Sequence, residues 1–83
     1  RGAVMTVSGW VLTLEIDERK RQVALEALQR DSRITCGEVH GLRLPVVAET
    51  ATLTEGETLY ESLRTLEGIA FVDVVSIDFQ ETH

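Results

Sequence analysis

The sequence predicts an α+β fold: a four-stranded antiparallel sheet with two helices packed on one face. Three observations carry the prediction. Two stretches place apolar residues at helical spacing, each opened by a capping residue. Four others are rich in β-branched residues or alternate apolar with polar. Their order along the chain is strand, helix, strand, strand, helix, strand.

Val7 to Ile16 reads as the first strand, with Trp10, Leu12, Leu14 and Ile16 directed to the core and Gly9, Val11, Thr13 and Glu15 on the other face. Asp17 suits a helix N-cap, and Glu18 follows near the positive end of the helix dipole. From Glu18 to about Arg30 the pattern is helical, and Val23, Ala24, Ala27 and Leu28 form its apolar stripe. Asp31 to Arg33 is a connector, and Ile34 to His40 a weaker second strand, because Gly37 lowers its propensity. Gly41 marks a tight turn into a third strand, Arg43 to Ala51, so these two strands should form an antiparallel hairpin. Pro45 cannot donate to a ladder, which places it near the strand start or at a bulge, with regular pairing from Val46 onward.

Thr54-Glu55-Gly56-Glu57 reads as a capping box opening a second helix to about Leu66, with Leu59, Leu63 and Leu66 inward and Tyr60 at the edge. Gly68 stops it. The final strand runs to Phe79. Alternation places Phe71, Asp73, Val75, Ile77 and Phe79 on one face and Ala70, Val72, Val74, Ser76 and Asp78 on the other. Both faces are largely apolar, whereas a sheet covered on one side needs only one apolar face.

The 83 residues suffice for one domain, with residues 1–6 and 80–83 expected to be loose. The element order is that of the ferredoxin-like βαββαβ fold, with right-handed crossovers and spatial strand order 4-1-3-2. The last strand is then an edge beside the first, and one sheet face stays open. If Val72 and Val74 face the helices, Phe71, Val75, Ile77 and Phe79 lie on the open face, where Val11 and Val47 can join them. An apolar face bounded by Glu15, Glu49 and Asp73 reads as an interaction surface. The other way to satisfy it is cover by the N-terminal arm or by a second copy of the domain, as a homodimer.

The rest of the composition narrows the function classes. A net charge of −6 argues against nucleic acid as a partner. No apolar run approaches the roughly 20 residues that span a bilayer, so membrane insertion is not expected. Cys36 is the only cysteine, and a lone thiol on a chain whose start lacks a signal-peptide pattern points to the cytoplasm. Cys36 and His40 have metal-ligand spacing, but two ligands do not make a structural zinc site. Lys20, the only lysine, follows no glycine-rich loop. The absence of asparagine removes the arginine–asparagine chemistry of acyl-phosphate hydrolysis, and the third strand has no aromatic on which to stack a base. Asp73 and Asp78 fall on opposite faces of one strand and do not pair as acid and base. The expectation is a protein that is not an enzyme and holds no metal or cofactor.

Val7-Ser8-Gly9-Trp10-Val11-Leu12, Gly41-Leu42-Arg43-Leu44-Pro45-Val46-Val47-Ala48-Glu49 and Leu66-Glu67-Gly68-Ile69 with Val72-Asp73-Val74-Val75-Ser76-Ile77-Asp78-Phe79 carry a family resemblance. In these stretches the chain resembles NapD, the small cytoplasmic chaperone family for maturation of the periplasmic nitrate reductase. The resemblance implies a chaperone that binds the twin-arginine signal peptide of the reductase catalytic subunit on its open sheet face and delays export until the molybdenum cofactor is loaded. On that expectation Val11, Thr13, Val47, Val75, Ile77 and Phe79 contact the apolar side of the peptide, while Glu15, Glu49 and Asp73 meet its arginines. A rival expectation for the same element order is a dimeric regulatory domain of ACT-like type that binds amino acids.

Overall fold

The computed structural model describes the backbone of residues 3–82 and the side chains of residues 5–79. The elements are β1 (Ala3–Leu14), α1 (Glu18–Arg30), β2 (Ile34–Cys36), β3 (Arg43–Thr50), α2 (Leu53–Arg64) and β4 (Ile69–Thr82). All strand pairs are antiparallel, and the sheet order is β2-β3-β1-β4. This is the expected ferredoxin-like α+β arrangement, with β4 as an edge strand beside β1.

Alternation builds the core. Trp10, Leu12 and Leu14 of β1 and Leu44, Val46 and Ala48 of β3 lie beneath the helices. Ala24 and Leu28 from α1, Leu59 and Leu63 from α2, and Ile34, Ile69 and Val72 close over them. Ile16, expected in this row, is 82% exposed, because β1 ends at Leu14 and alternation holds only while the strand continues. Val23 is also exposed: α1 is rotated so that Ala24 and Leu28 point inward and Leu25, rather than Val23, flanks them. Asp17 caps α1 as expected, accepting the Lys20 N–H at 3.1 Å.

β2 is shorter than its predicted span, and Pro45 explains why. Pro45 pairs in regular register with Val11, not at a bulge. Its carbonyl faces β2 and accepts the Gly37 N–H at 2.7 Å. Lacking its own N–H, Pro45 cannot return that bond, and the ladder stops there. The chain rejoins only at the His40–Arg43 bridge, which closes a turn with Gly41 at φ +65°.

α2 starts earlier than expected. At the helix start the T-x-x-E signature occurs in two overlapping registers, and the structure uses Thr52 and Glu55, not Thr54 and Glu57. Thr52 Oγ1 accepts the Glu55 N–H at 3.0 Å, and Glu55 Oε1 accepts the Ala51 N–H at 2.8 Å. The end of β3 at Thr50 decides this, since its hydroxyl donates to the Thr52 carbonyl at 3.0 Å and turns the chain there. α2 ends at Arg64, and Leu66 is half-buried beyond it.

The chain ends are also ordered differently from the expectation of loose segments. Ala3 pairs with Thr82 and the ladder continues unbroken to Thr6 and Phe79. β1 and β4 are antiparallel neighbours, so each end is the other's strand partner. Residues 1, 2 and 83 of that expectation lie outside the described residues. Beyond Thr6, β3 no longer accompanies β1, and the two-stranded ribbon lengthens the molecule to 47 × 19 × 18 Å.

Candidate functional site

Cross-strand register determines which side chains share the open face. Thr13 lies between Arg43 and Phe71, and Val11 between Pro45 and Asp73. Gly9 lies between Val47 and Ser76, and Val7 between Glu49 and Asp78. Paired residues of an antiparallel ladder project to the same side, so these twelve residues form one surface, opposite the row of Trp10, Leu12 and Leu14. The surface has an apolar middle of Val11, Pro45 and Val47, with Phe71 at one corner and Glu49 and Asp78 at the far end.

Of the nine residues expected at a docking site, Val11, Thr13, Val47, Glu49 and Asp73 come together on this face. Asp73 is not free: the Arg43 guanidinium lies 3.6 Å from it. Glu15 has another job. Its carboxylate accepts the Gly68 N–H at 3.3 Å, and its backbone N–H donates to the Gly68 carbonyl at 2.9 Å, tying the end of β1 to the start of β4.

Ile77 and Phe79 are not on the open face. Trp10 pairs with Val74 and Gly9 with Ser76, so Val75 is an extra residue with no partner in β1. This β-bulge reverses the alternation for the remainder of the strand. Ile77 pairs with Ser8 and Phe79 with Thr6, both residues of the helix-side row. Phe71 and Asp73, before the bulge, keep their predicted face, and Val75 is 66% exposed at the bulge itself. A second shift, between Thr13 and Leu14, leaves Ala70 unpaired.

The bulge creates a feature with no counterpart in the sequence reading. On the helix side, a groove of about 490 Å³ runs between α2 and β4. Val74 and Ile77 form its floor, with Trp10 and Ser8 deeper. Leu53, Gly56, Glu57, Tyr60 and Glu61 form its wall. Tyr60 packs edge-on against Trp10, ring centroids 5.9 Å apart, and Arg64 lies over the outer face of Tyr60. The available signal was the i, i+4 series Leu53, Glu57, Glu61, which puts one apolar and two acidic residues on one helix face. What that face meets was not readable.

The densest polar cluster lies elsewhere. Arg33 donates to both carboxylate oxygens of Asp31, at 3.0 and 2.8 Å, and to Glu55 Oε2 at 3.0 Å. The Arg33 hydrogen bonds hold the Asp31 carboxyl below its usual range. The Ala51 N–H, then Arg33, lower that of Glu55, and the two carboxylates raise Arg33 itself. This cluster fastens the α1–β2 connection to the start of α2 and is structural. Cys36 is half-buried, and burial pushes its thiol upward, away from the thiolate. Among the described residues, His, Cys, Asp and Glu form no group of three that could hold a metal, and no helix is long and apolar enough to cross a membrane.

No family model matches the chain, and comparisons with curated proteins and with solved structures give no significant match.

Proposed function

We propose that the chain is a cytoplasmic, non-catalytic chaperone that binds the twin-arginine signal peptide of the periplasmic nitrate reductase catalytic subunit on its open sheet face, delaying export until cofactor loading. One observation carries the reading: an uncovered sheet face whose centre is Val11, Pro45 and Val47, flanked by Phe71 and by the carboxylates of Glu49, Asp73 and Asp78. An apolar strip takes the apolar side of a bound helix. Carboxylates beside it take arginines, each as a charge-assisted pair. The resemblance to NapD names the peptide.

The Arg43–Asp73 pair fits such a role. Both side chains are about half exposed or more, and exposed pairs contribute roughly 0–1 kcal/mol, so a peptide guanidinium can replace Arg43 on Asp73 at little cost. A stable complex needs on the order of 800 Å² from each partner, an area comparable to one face of a small sheet.

Isothermal titration with a synthetic twin-arginine signal peptide tests the reading. Val47 is 41% exposed, so Val47→Glu should leave thermal unfolding nearly unchanged. It should weaken the peptide by about tenfold or more, the loss typical of a central contact. Equal affinity in the folded variant refutes the open-face site. A dimer that binds free amino acids and ignores the peptide would establish the regulatory alternative instead.

A further inference from the structure

We propose that β4 and α2 form a second docking site, on the opposite side of the sheet, for an extended cationic peptide that adds as a fifth strand along the outer edge of β4. The backbone directions lead to this. In an antiparallel ladder the N–H and C=O of one residue point the same way and alternate along the strand. The Leu14 N–H donates to the Leu42 carbonyl, so the even-numbered residues of β1 face β3 and Thr13, Val11, Gly9 and Val7 face β4. Their partners Phe71, Asp73, Ser76 and Asp78 turn their backbone groups toward β1. Val72, Val74, Ile77 and Phe79 therefore present theirs outward, away from the sheet.

These four residues also carry their side chains on the helix side, where Val74 and Ile77 floor the groove. Backbone donors and apolar floor thus coincide on one row. β4 has no lysine and no proline, and its two aspartates project from the other face, so of the devices that ordinarily protect an edge strand this row carries only the bulge at Val75, with Val72 and Val74 on one side of it and Ile77 and Phe79 on the other. Ile77 is 47% and Phe79 60% exposed. A groove of about 490 Å³ falls within the usual range for ligand sites, about 300–1,000 Å³. It combines an unpaired strand edge with a helix wall, the arrangement that strand addition exploits: main-chain bonds supply affinity and alternate side chains enter pockets.

Charge selects the occupant. Glu57 and Glu61 stand on the groove wall, and among the described residues no basic one lines it. Arg64 pairs with Glu61 at 2.9 Å, which leaves Glu57 as the carboxylate facing an incoming cation. With a net charge of −6 as well, the fitting segment alternates apolar residues with polar ones and carries arginine or lysine at its end. A second copy of this chain, itself acidic, matches less well. The proposal is independent of the open-face reading, since the two sites lie on opposite faces.

The probe is a capped peptide of alternating valine and threonine with an arginine at each end, about seven residues long to match a typical strand. It is titrated into ¹⁵N-labelled protein, and amide exchange is followed. At saturation the amides of Val72, Val74, Ile77 and Phe79 should exchange at least about tenfold more slowly, as newly bonded strand amides do. N-methylation of alternate peptide bonds should abolish binding. Ile77→Glu should weaken it about tenfold or more, while Val39→Glu, an exposed apolar position outside the groove, stays within about twofold. Glu57→Gln should weaken it severalfold at low salt only. Any of four results overturns the proposal: no saturation at about 1 mM peptide, binding that tolerates N-methylation, slowed exchange confined to β3, or β4 amides that become protected with rising protein concentration alone, which would make a second copy the occupant.

Discussion

Gly68 is the position where a single methyl group should do the most damage. It sits at φ +100°, between the end of α2 and the start of β4, packed against α1. A Cβ built there would lie 2.8 Å from the Ala24 Cβ and closer still to the Lys20 carbonyl oxygen. Two costs follow for Gly68→Ala. Holding an L-residue at positive φ costs about 1–2 kcal/mol. Forcing α1 away from the β1–β4 junction costs a further 1–3 kcal/mol or so, as overpacked cores do. Together they come to about 2–5 kcal/mol, out of a total of about 4–12 kcal/mol for a domain of 83 residues. At about 4–8 °C per kcal/mol, the melting temperature should fall by about 10–40 °C. Thermal unfolding by circular dichroism reads this directly. Gly41→Ala is the internal control: Gly41 has φ +65° but nothing within 4 Å of its would-be Cβ, so it bears only the backbone cost, about 1–2 kcal/mol. If the two variants melt within a few degrees of each other, α1 does not approach Gly68 as described, and the reasoning fails.

The remaining predictions concern α2 and the polar cluster at its start. Thr52→Ala should destabilise by about 1 kcal/mol through loss of the cap to Glu55, while Thr54→Ala, at the other T-x-x-E register, should change little; equal urea midpoints for the two would contradict the observed helix start. Asp31 and Glu55 both have lowered pKa values in the folded protein, so their contribution is present above their ordinary values of 3.8 and 4.5 and is lost as pH falls through the lowered folded values. The stability difference between wild type and Arg33→Gln should accordingly be constant near neutrality and shrink in acid. A difference that does not vary in urea titrations from about pH 7 to about pH 3 would show that Arg33 does not act through these carboxylates.

Local signals along the chain reached some features of the fold and not others. Asp17, the α1 span, Leu59 with Leu63, and the edge position of β4 were all legible, because caps and periodicities are set by neighbours within a turn or two of the chain. The open-face cluster was legible wherever alternation ran undisturbed: Val11, Thr13, Val47, Glu49 and Asp73 lie on strand segments paired without interruption. Glu15 was misread because its partner, Gly68, is 53 residues away in sequence. The capping box was misread because one signature occurs in two registers, and only the end of β3 chooses between them. The groove was not legible at all, since its floor belongs to β4 and its wall to α2, and nothing local in either sequence records that they face each other.

The sequence by itself determined the six elements, their order and hence the ferredoxin-like sheet with β4 at its edge. Tertiary structure alone decided which way the second half of β4 faces. The ladder to β1 shifts between Gly9 and Trp10, where a side chain on Gly9 would come within 2.7 Å of Ser76 Oγ, and Val75 is left over. A period of two read along one strand assumes that every residue has a partner. One residue without a partner reverses the pattern beyond it, and this is why Ile77 and Phe79, read as part of the open face, stand instead on the helix side, Ile77 in the groove beside α2.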